Sequence, residues 1–158
     1  MYTLYMMIGI PGSGKTTISS FLAKQYKAVI VSSDLVRLNN PKWSEDKIFP
    51  EVYKLIQENI SFKNVIFDAT NIDIETRKKH LEEINKKDIK YKLVACLVEC
   101  STEICKARIE YRNTLSGELY LPLEVVDLYN NKLIYPDVNE GFDEILIFNN
   151  SCNHEDLI

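Results

Sequence analysis

The chain has 158 residues, of which 46% are hydrophobic and 27% charged, and its net charge is −4 with an isoelectric point near 5.3. This length and composition predict one compact domain over residues 1–158 and exclude a disordered chain. The acidic balance argues against a broad, sequence-independent grip on duplex DNA but leaves room for a small basic groove that holds a strand end.

Five short apolar runs alternate with amphipathic stretches along the chain. The runs are continuous, which is typical of strands covered on both faces. They comprise residues 3–10, 28–31, 64–67, 91–98 and 144–148. Helical patterns cover residues 16–26, 50–62, 73–87, 102–112 and 122–133. This alternation predicts an α/β domain with a parallel sheet, helices on both sides, and ligands at the carboxyl ends of the strands.

The chain ends in a polar tail, residues 149–158, which we expect to be loosely held. No apolar run approaches the length of a membrane-spanning helix and no signal peptide is evident, so we expect a cytoplasmic protein with no membrane partner. The four Cys form no CxxC pair and predict reduced thiols. The two His lie far from the Cys cluster, which argues against a zinc site and against a His-dependent hydrolase.

A phosphate-binding motif follows the first predicted strand. Residues 9–16 read "GIPGSGKT", the pattern G-x-x-x-x-G-K-[ST], and they open the first predicted helix. Glycines let backbone N–H groups point at phosphate oxygens, and the helix start adds a positive dipole end. The predicted nucleotide-binding residues are Gly9, Pro11, Gly12, Ser13, Gly14, Lys15, Thr16 and Thr17. We expect Lys15 to reach the β- and γ-phosphates and Thr16 to bind Mg²⁺.

Two further strands end in polar residues that fit this chemistry. The third ends in "NVIFDATN" (residues 64–71), in which Asp68 is predicted to hold Mg²⁺ or, alternatively, to begin the following turn. The second precedes "SSDLVR" (residues 32–37). Asp34 could cap a short helix, or it could accept a proton from an attacking hydroxyl. Arg37, one helical turn on, could grip a phosphate on the acceptor or be a surface residue.

Together, "GIPGSGKTT", "SSDLVR" and "NVIFDATN" resemble the polynucleotide 5′-hydroxyl kinase group of P-loop kinases, a wider group that also includes zeta-toxin-like proteins. The similarity extends to "CKARIEYRN" (105–113) as a lid helix, "LPLEVV" (121–126) as the next helix start and "PDVNEGFDEILIF" (136–148) before the last strand. The resemblance implies a three-layer P-loop domain with strand order 2-3-1-4-5 and a short helical lid at about residues 105–122.

The resemblance also implies residue roles. Asp34 is the expected general base, and Arg37 the expected ligand of the phosphate next to the acceptor nucleoside. Lys15 and one or both of Arg108 and Arg112 are expected to neutralise the γ-phosphoryl group in the transition state. The resemblance further implies that Asn71 orders the acceptor side of the site beside Asp68 and that Val125 or Val126 contacts the adenine. Arg77, two turns after "DATN", could bind the acceptor or belong to a solvated helix face.

We therefore predict an ATP- and Mg²⁺-dependent kinase that phosphorylates a hydroxyl, most simply the 5′-OH of DNA or RNA. Two alternatives stay open: a kinase of a nucleoside, sugar or aminoacyl-tRNA, and a low-turnover nucleotide-binding regulatory or toxin-type module. The segment 113–121, "NTLSGELYL", contains no basic residue. The aromatics Trp43, Phe49 and Tyr53 could be core residues or a platform on which a nucleobase stacks. The sequence leaves the oligomeric state open.

Overall fold

The structure, a computed structural model, describes residues 1–151. Its centre is a sheet of five parallel strands in the order β2-β3-β1-β4-β5. The strands are β1 (Thr3–Ile8), β2 (Val29–Ser32), β3 (Val65–Asp68), β4 (Lys92–Glu99) and β5 (Glu144–Asn149). The predicted α/β fold, parallel sheet and strand order are confirmed.

Within residues 1–151, six helices surround the sheet. They are α1 (Lys15–Tyr26), α2 (Ser33–Asn39), α3 (Ile48–Asn59), α4 (Ile74–Ile84), α5 (Thr102–Arg112) and α6 (Glu124–Lys132). Short 3₁₀ turns at Glu45–Lys47 and Val138–Glu140 precede α3 and β5. The five predicted helices are present with ends shifted by a few residues, whereas α2 and the 3₁₀ turns were not predicted as separate elements. The helix α4 begins after its N-cap Asp73 and ends at Ile84, so its last predicted turn, residues 85–87, is absent.

The sheet is buried on both faces, which explains the continuous apolar runs. On one face Met7 and Ile66 pack against Leu22 of α1. On the other, side chains of β1 and β3 pack against Val52 and Ile56 of α3. No helix within residues 1–151 is long and apolar enough to cross a membrane.

A third apolar cluster joins α5 and α6 to the start of the phosphate loop. Its buried members are Ile10, Ile72, Cys105, Ile109 and Val126. The helix α5 begins with an N-cap from Ser101, whose hydroxyl accepts a hydrogen bond from Ile104 N at 3.3 Å. The residues predicted as a lid therefore form one anchored helix, α5, followed by an irregular segment that leads to α6.

The first residues of the predicted tail are held in place, contrary to the expectation of a loose tail. Asn149 is the last residue of β5. The Asn150 side chain donates to Ser13 O at 2.9 Å, and its backbone N donates to Glu99 O at 2.7 Å. Ser151 accepts a hydrogen bond from Ser101 N through its hydroxyl. The rest of the predicted tail, residues 152–158, lies outside the described residues.

Candidate active site

The phosphate loop connects β1 to α1 and presents an open helix N-terminus. Gly14 is the N-cap of α1 and has no side chain to satisfy the first backbone donors of the helix. Those donors belong to Lys15, Thr16 and Thr17, and two of these residues, Thr16 and Thr17, are exposed. Unsatisfied N–H groups at a helix start form an anion site.

Close packing keeps this loop in shape. Gly12 and Gly14 have φ of 81° and 90°, a backbone region that side chains rarely adopt. A Cβ on Gly12 would lie 2.5 Å from Cys105 O, and one on Gly14 would collide with the amide of Asn150. Gly9 is less confined, because its nearest contact, 2.8 Å from an added Cβ, is the side-chain oxygen Ser13 Oγ. The predicted loop residues are thus arranged around the α1 start as the motif requires.

We predict that Gly12→Ala destabilises the protein and weakens ATP binding at least about tenfold. The backbone conformation alone costs about 1–3 kcal/mol for a residue with a side chain, and the neighbouring Cys105 carbonyl cannot rotate away. Thermal unfolding and calorimetric titration with ATP measure both effects. The matched control is Gly117→Ala, which has a similar φ of 83° but no atom within 4 Å of the added methyl group. Equal effects of the two variants would contradict the role assigned to the Cys105 contact.

Two polar side chains of the loop, Ser13 and Lys15, differ in their hydrogen bonds. Ser13 Oγ is buried and has no hydrogen-bond partner among the described residues. Lys15 Nζ donates to Ile10 O at 2.9 Å. Burial lowers the pKa of Lys15, while the negative charges of Asp68 and Asp34 act in the opposite direction. A bound phosphate would favour the charged ammonium in the same way.

Asp68 and Thr16 fit a magnesium site. Thr16 Oγ1 donates to Asp68 Oδ2 at 3.5 Å, so a hydroxyl and a carboxylate lie together beside the loop. Burial raises the pKa of Asp68, and Lys15 opposes this shift. No group of three or more acidic, His or Cys side chains that could hold a metal ion exists within residues 1–151. Mg²⁺ needs no such group, since it keeps several waters and binds one or two carboxylates together with substrate phosphates.

Asp34 lies in the first turn of α2, directly after β2. The helix cap is Ser32, whose hydroxyl accepts a hydrogen bond from Leu35 N at 3.3 Å, so Asp34 is not needed as a cap. Ser32 is in register with Asp68 of the neighbouring strand. Asp34 is half exposed and acts electrostatically on both Lys15 and Asp68. The structure therefore brings Asp34, Lys15 and Asp68 together at the carboxyl ends of adjacent strands.

Arg37 is held by two carboxylates. Its NH1 lies 2.7 Å from Asp34 Oδ1, and its Nε donates to Glu45 Oε1 at 2.9 Å. The guanidinium also lies over the ring of Phe49, 5.8 Å from the centroid. Glu45 was not predicted as a site residue, because it lies in a polar segment with no periodic pattern.

The two lid arginines differ in their contacts. Arg108 NH1 donates to Gly12 O at 3.3 Å and its NH2 donates to Asn150 O at 2.9 Å. Arg112 forms a 3.6 Å ion pair with Glu118, and its charge is one of the influences that lower the pKa of Lys15. Arg108 thus joins the lid to the phosphate loop, whereas Arg112 lies within electrostatic range of Lys15, the lysine predicted to bind phosphate.

Three predicted contacts need correction. Arg77 is fully buried and pairs with Glu140 at 2.8 Å, so it cannot reach an acceptor. Asn71 is 1% exposed and donates to Met7 O at 2.7 Å, which makes it a residue that ties the turn after β3 to β1. Val126 is fully buried in the cluster under the lid and cannot contact adenine. Val125 is half-buried, and its proposed adenine contact stays a prediction.

The three aromatic residues after α2, Trp43, Phe49 and Tyr53, differ in their burial and contacts. Phe49 stacks on His80 with centroids 4.5 Å apart, and Tyr53 hydrogen-bonds the same imidazole. Burial lowers the pKa of His80 to about 4, so the ring is neutral in the core. Trp43 is 39% exposed, and its proposed stacking on a nucleobase stays a prediction. Phe49 and Tyr53 therefore pack with the core, and the guanidinium of Arg37 lies over the ring of Phe49.

Solved structures show the same fold at low sequence identity. A sugar kinase from Janibacter sp. aligns with a TM-score of 0.66 and 12% identity over 100% of this chain and 90% of its own. Kti12 from Chaetomium thermophilum, in complex with ADP-AlF3, aligns with a TM-score of 0.67 and 16% identity over 96% of this chain and 92% of its own.

A chain of the Pnkp1/Rnl/Hen1 RNA repair complex aligns with a TM-score of 0.72 and 22% identity over 90% of this chain and 46% of its own. No curated protein sequence matches. The family described as AAA domain matches residues 4–133, which include the phosphate loop, Asp34, Asp68 and the lid helix. The domain is P-loop kinase-like. Because the family match covers more than half of the chain, the chain belongs to this AAA domain family.

Proposed function

We propose that the protein is an ATP-dependent kinase that transfers the γ-phosphate to the 5′-OH end of a polynucleotide. The observation that carries this proposal is the position of Asp34. It lies beside Lys15 and Asp68 at the carboxyl ends of β1, β2 and β3, with its carboxylate held by Arg37. A base next to a phosphate loop suits the activation of a hydroxyl.

The proposed transfer is a nucleophilic displacement at the γ-phosphorus. The acceptor oxygen forms a bond to Pγ as the bond from Pγ to the β-bridging oxygen breaks, and the hydroxyl proton passes to the Asp34 carboxylate. Lys15 and the α1 N–H groups neutralise charge on the phosphates. Thr16 and Asp68 would hold Mg²⁺, which supplies further charge neutralisation when bound. Arg37 would orient the acceptor through the phosphate next to its first nucleoside.

The fold shared with the RNA repair chain supports the proposal of a polynucleotide acceptor. Two observations favour a second candidate, a smaller acceptor. Arg77 is buried and residues 113–121 contain no basic side chain, which leaves few cations to bind a nucleic-acid backbone. A sugar kinase also shares the fold. The second candidate is therefore a kinase of a small hydroxyl compound.

An acceptor panel separates these functions. The protein is incubated with γ-labelled ATP and Mg²⁺ together with 5′-OH DNA, 5′-OH RNA, tRNA, nucleosides or sugars. The control acceptors are the same oligonucleotides with a 5′-phosphate, which offer the same backbone without the reacting hydroxyl. We expect label in the 5′-OH polymers alone. Label in nucleosides or sugars alone supports the second candidate, and ATP binding without transfer to any acceptor indicates a nucleotide-binding module.

We also expect Arg112→Ala to lower kcat by about 10²-fold, because its charge lies near Lys15 and can stabilise the transferring phosphoryl group. Arg108→Ala should chiefly weaken ATP binding, since Arg108 holds Gly12 and Asn150. Steady-state kinetics and ATP titrations distinguish the two effects. Lys106→Ala is the control, since Lys106 lies on the same helix but pairs with Asp127 at 2.7 Å. A larger loss of kcat in Arg108→Ala than in Arg112→Ala would reverse the assignment.

A further inference from the structure

The guanidinium of Arg37 has its phosphate-binding edge already occupied. Glu45 Oε1 lies 2.9 Å from Nε and 2.8 Å from NH2, while Asp34 contacts only NH1. The Nε/NH2 edge is a pair of parallel donors that binds a carboxylate or a phosphate with two hydrogen bonds. A carboxylate of the protein, that of Glu45, contacts this edge.

We propose that Glu45 determines acceptor specificity by competing with the acceptor's phosphate for Arg37. The inference rests on the proposed function, in which Arg37 binds the phosphate next to the acceptor nucleoside. One guanidinium faces two carboxylates, from Asp34 and Glu45, so the local formal charge is +1 − 2 = −1 before the acceptor arrives. A phosphate that enters here meets repulsion from Glu45 unless that side chain leaves.

The structure allows Glu45 to leave while Arg37 stays. The Glu45 side chain is 70% exposed and lies on a three-residue 3₁₀ turn, and exposed ion pairs of this kind contribute little to stability. Arg37 is only 27% exposed and keeps its contacts with Asp34, Ser33 Oγ and the ring of Phe49. A phosphate can therefore replace Glu45 on an arginine that does not move.

This competition acts on one class of acceptor. A nucleoside without a phosphate does not need the Nε/NH2 edge of Arg37, so Glu45 does not affect its binding. A nucleoside 3′-phosphate, which represents the first unit of a polymer, must displace Glu45. Glu45 thus sets how strongly the site prefers a polymer end over a free nucleoside.

The test is the variant Glu45→Gln, which keeps the shape of the side chain and removes its charge. Calorimetric titration with a nucleoside 3′-monophosphate, in the presence of Mg²⁺ and a non-hydrolysable ATP analogue, should show binding about 5- to 20-fold tighter than in the wild type. Binding of the unphosphorylated nucleoside should not change. The control is Asp46→Asn, which removes the same charge from an exposed neighbour in the same turn and should change affinity less than about twofold.

Each other outcome counts against the inference. Unchanged or weaker binding of the 3′-monophosphate to Glu45→Gln would show that Glu45 does not compete or that it positions Arg37 instead. Equal gains in Glu45→Gln and Asp46→Asn would show a general charge effect. A wild type that binds the 3′-monophosphate no better than the nucleoside, with no gain in the variant, also overturns it. Absence of transfer to 5′-OH oligonucleotides, with the binding pattern intact, would instead overturn the proposed function alone.

Discussion

Asp34→Asn is expected to lower the rate of phosphoryl transfer by roughly 10²–10⁴-fold, while ATP affinity changes by less than about twofold. An amide cannot take the proton of the attacking hydroxyl. Its oxygen can still accept the hydrogen bond from Arg37 NH1, which is 2.7 Å long in the wild type, so the acceptor arginine should stay in place. The substitution keeps the side chains of Lys15, Thr16 and Asp68, the expected nucleotide and metal ligands, and removes only the electrostatic influence of Asp34 on Lys15 and Asp68. The measurements are single-turnover transfer from γ-labelled ATP and calorimetric titration with ATP.

The matched control for this variant is Asp88→Asn. Asp88 is an exposed carboxylate in the turn before β4, at the edge of the sheet opposite the strand carboxyl ends. Its removal changes the net charge equally and should leave the transfer rate within about twofold. A wild-type rate in Asp34→Asn with the true acceptor would exclude Asp34 as the base. A parallel loss of ATP affinity and rate would place Asp34 in nucleotide binding instead.

The sequence predicted the parts of the site that follow strands. Continuous apolar runs marked the five strands, and in a parallel sheet the residues after each strand share one edge. The phosphate loop after β1, Asp34 after β2 and Asp68 at the end of β3 could therefore be placed together without coordinates. Asn150 after β5 carries the same positional signal, but its contact with Ser13 O depends on a side-chain direction that the sequence does not reveal.

The errors and the omission of Glu45 concern residues whose contacts depend on tertiary packing. Arg77 follows "DATN" by two turns, which suggested the acceptor, but its partner Glu140 is 63 residues away. Val126 sits beside Val125 in the sequence, and only the packing of α6 decides which of the two is buried. Glu45 lies eight positions after Arg37, beyond the end of α2. Such pairings follow from tertiary packing, which local patterns do not encode.

The buried Arg77–Glu140 pair leads to the largest expected effect on stability. Arg77 is fully buried, its Nε and NH2 donate to Glu140, and its NH1 donates to Asn71 O and Ile134 O. Arg77→Met leaves the Glu140 carboxylate, 11% exposed, without its counter-ion and leaves two carbonyl oxygens without a donor. We expect a loss of about 3–5 kcal/mol in the free energy of unfolding. For a chain of this size the melting temperature should fall by roughly 6–20 °C, measured by calorimetry.

Two comparisons separate the buried charge from lost side-chain packing. In Arg77→Met/Glu140→Gln the unpaired charge is gone, so the double variant should be more stable than Arg77→Met by about 1–2 kcal/mol. Lys86→Met breaks an exposed pair with Glu83 of similar length, 2.8 Å, and should cost less than about 1 kcal/mol. A double variant no more stable than Arg77→Met would contradict the charge argument. Since Arg77 binds the carbonyl of Asn71, and Asn71 binds Met7 O beside the phosphate loop, the destabilised variant should also bind ATP more weakly even where it remains folded.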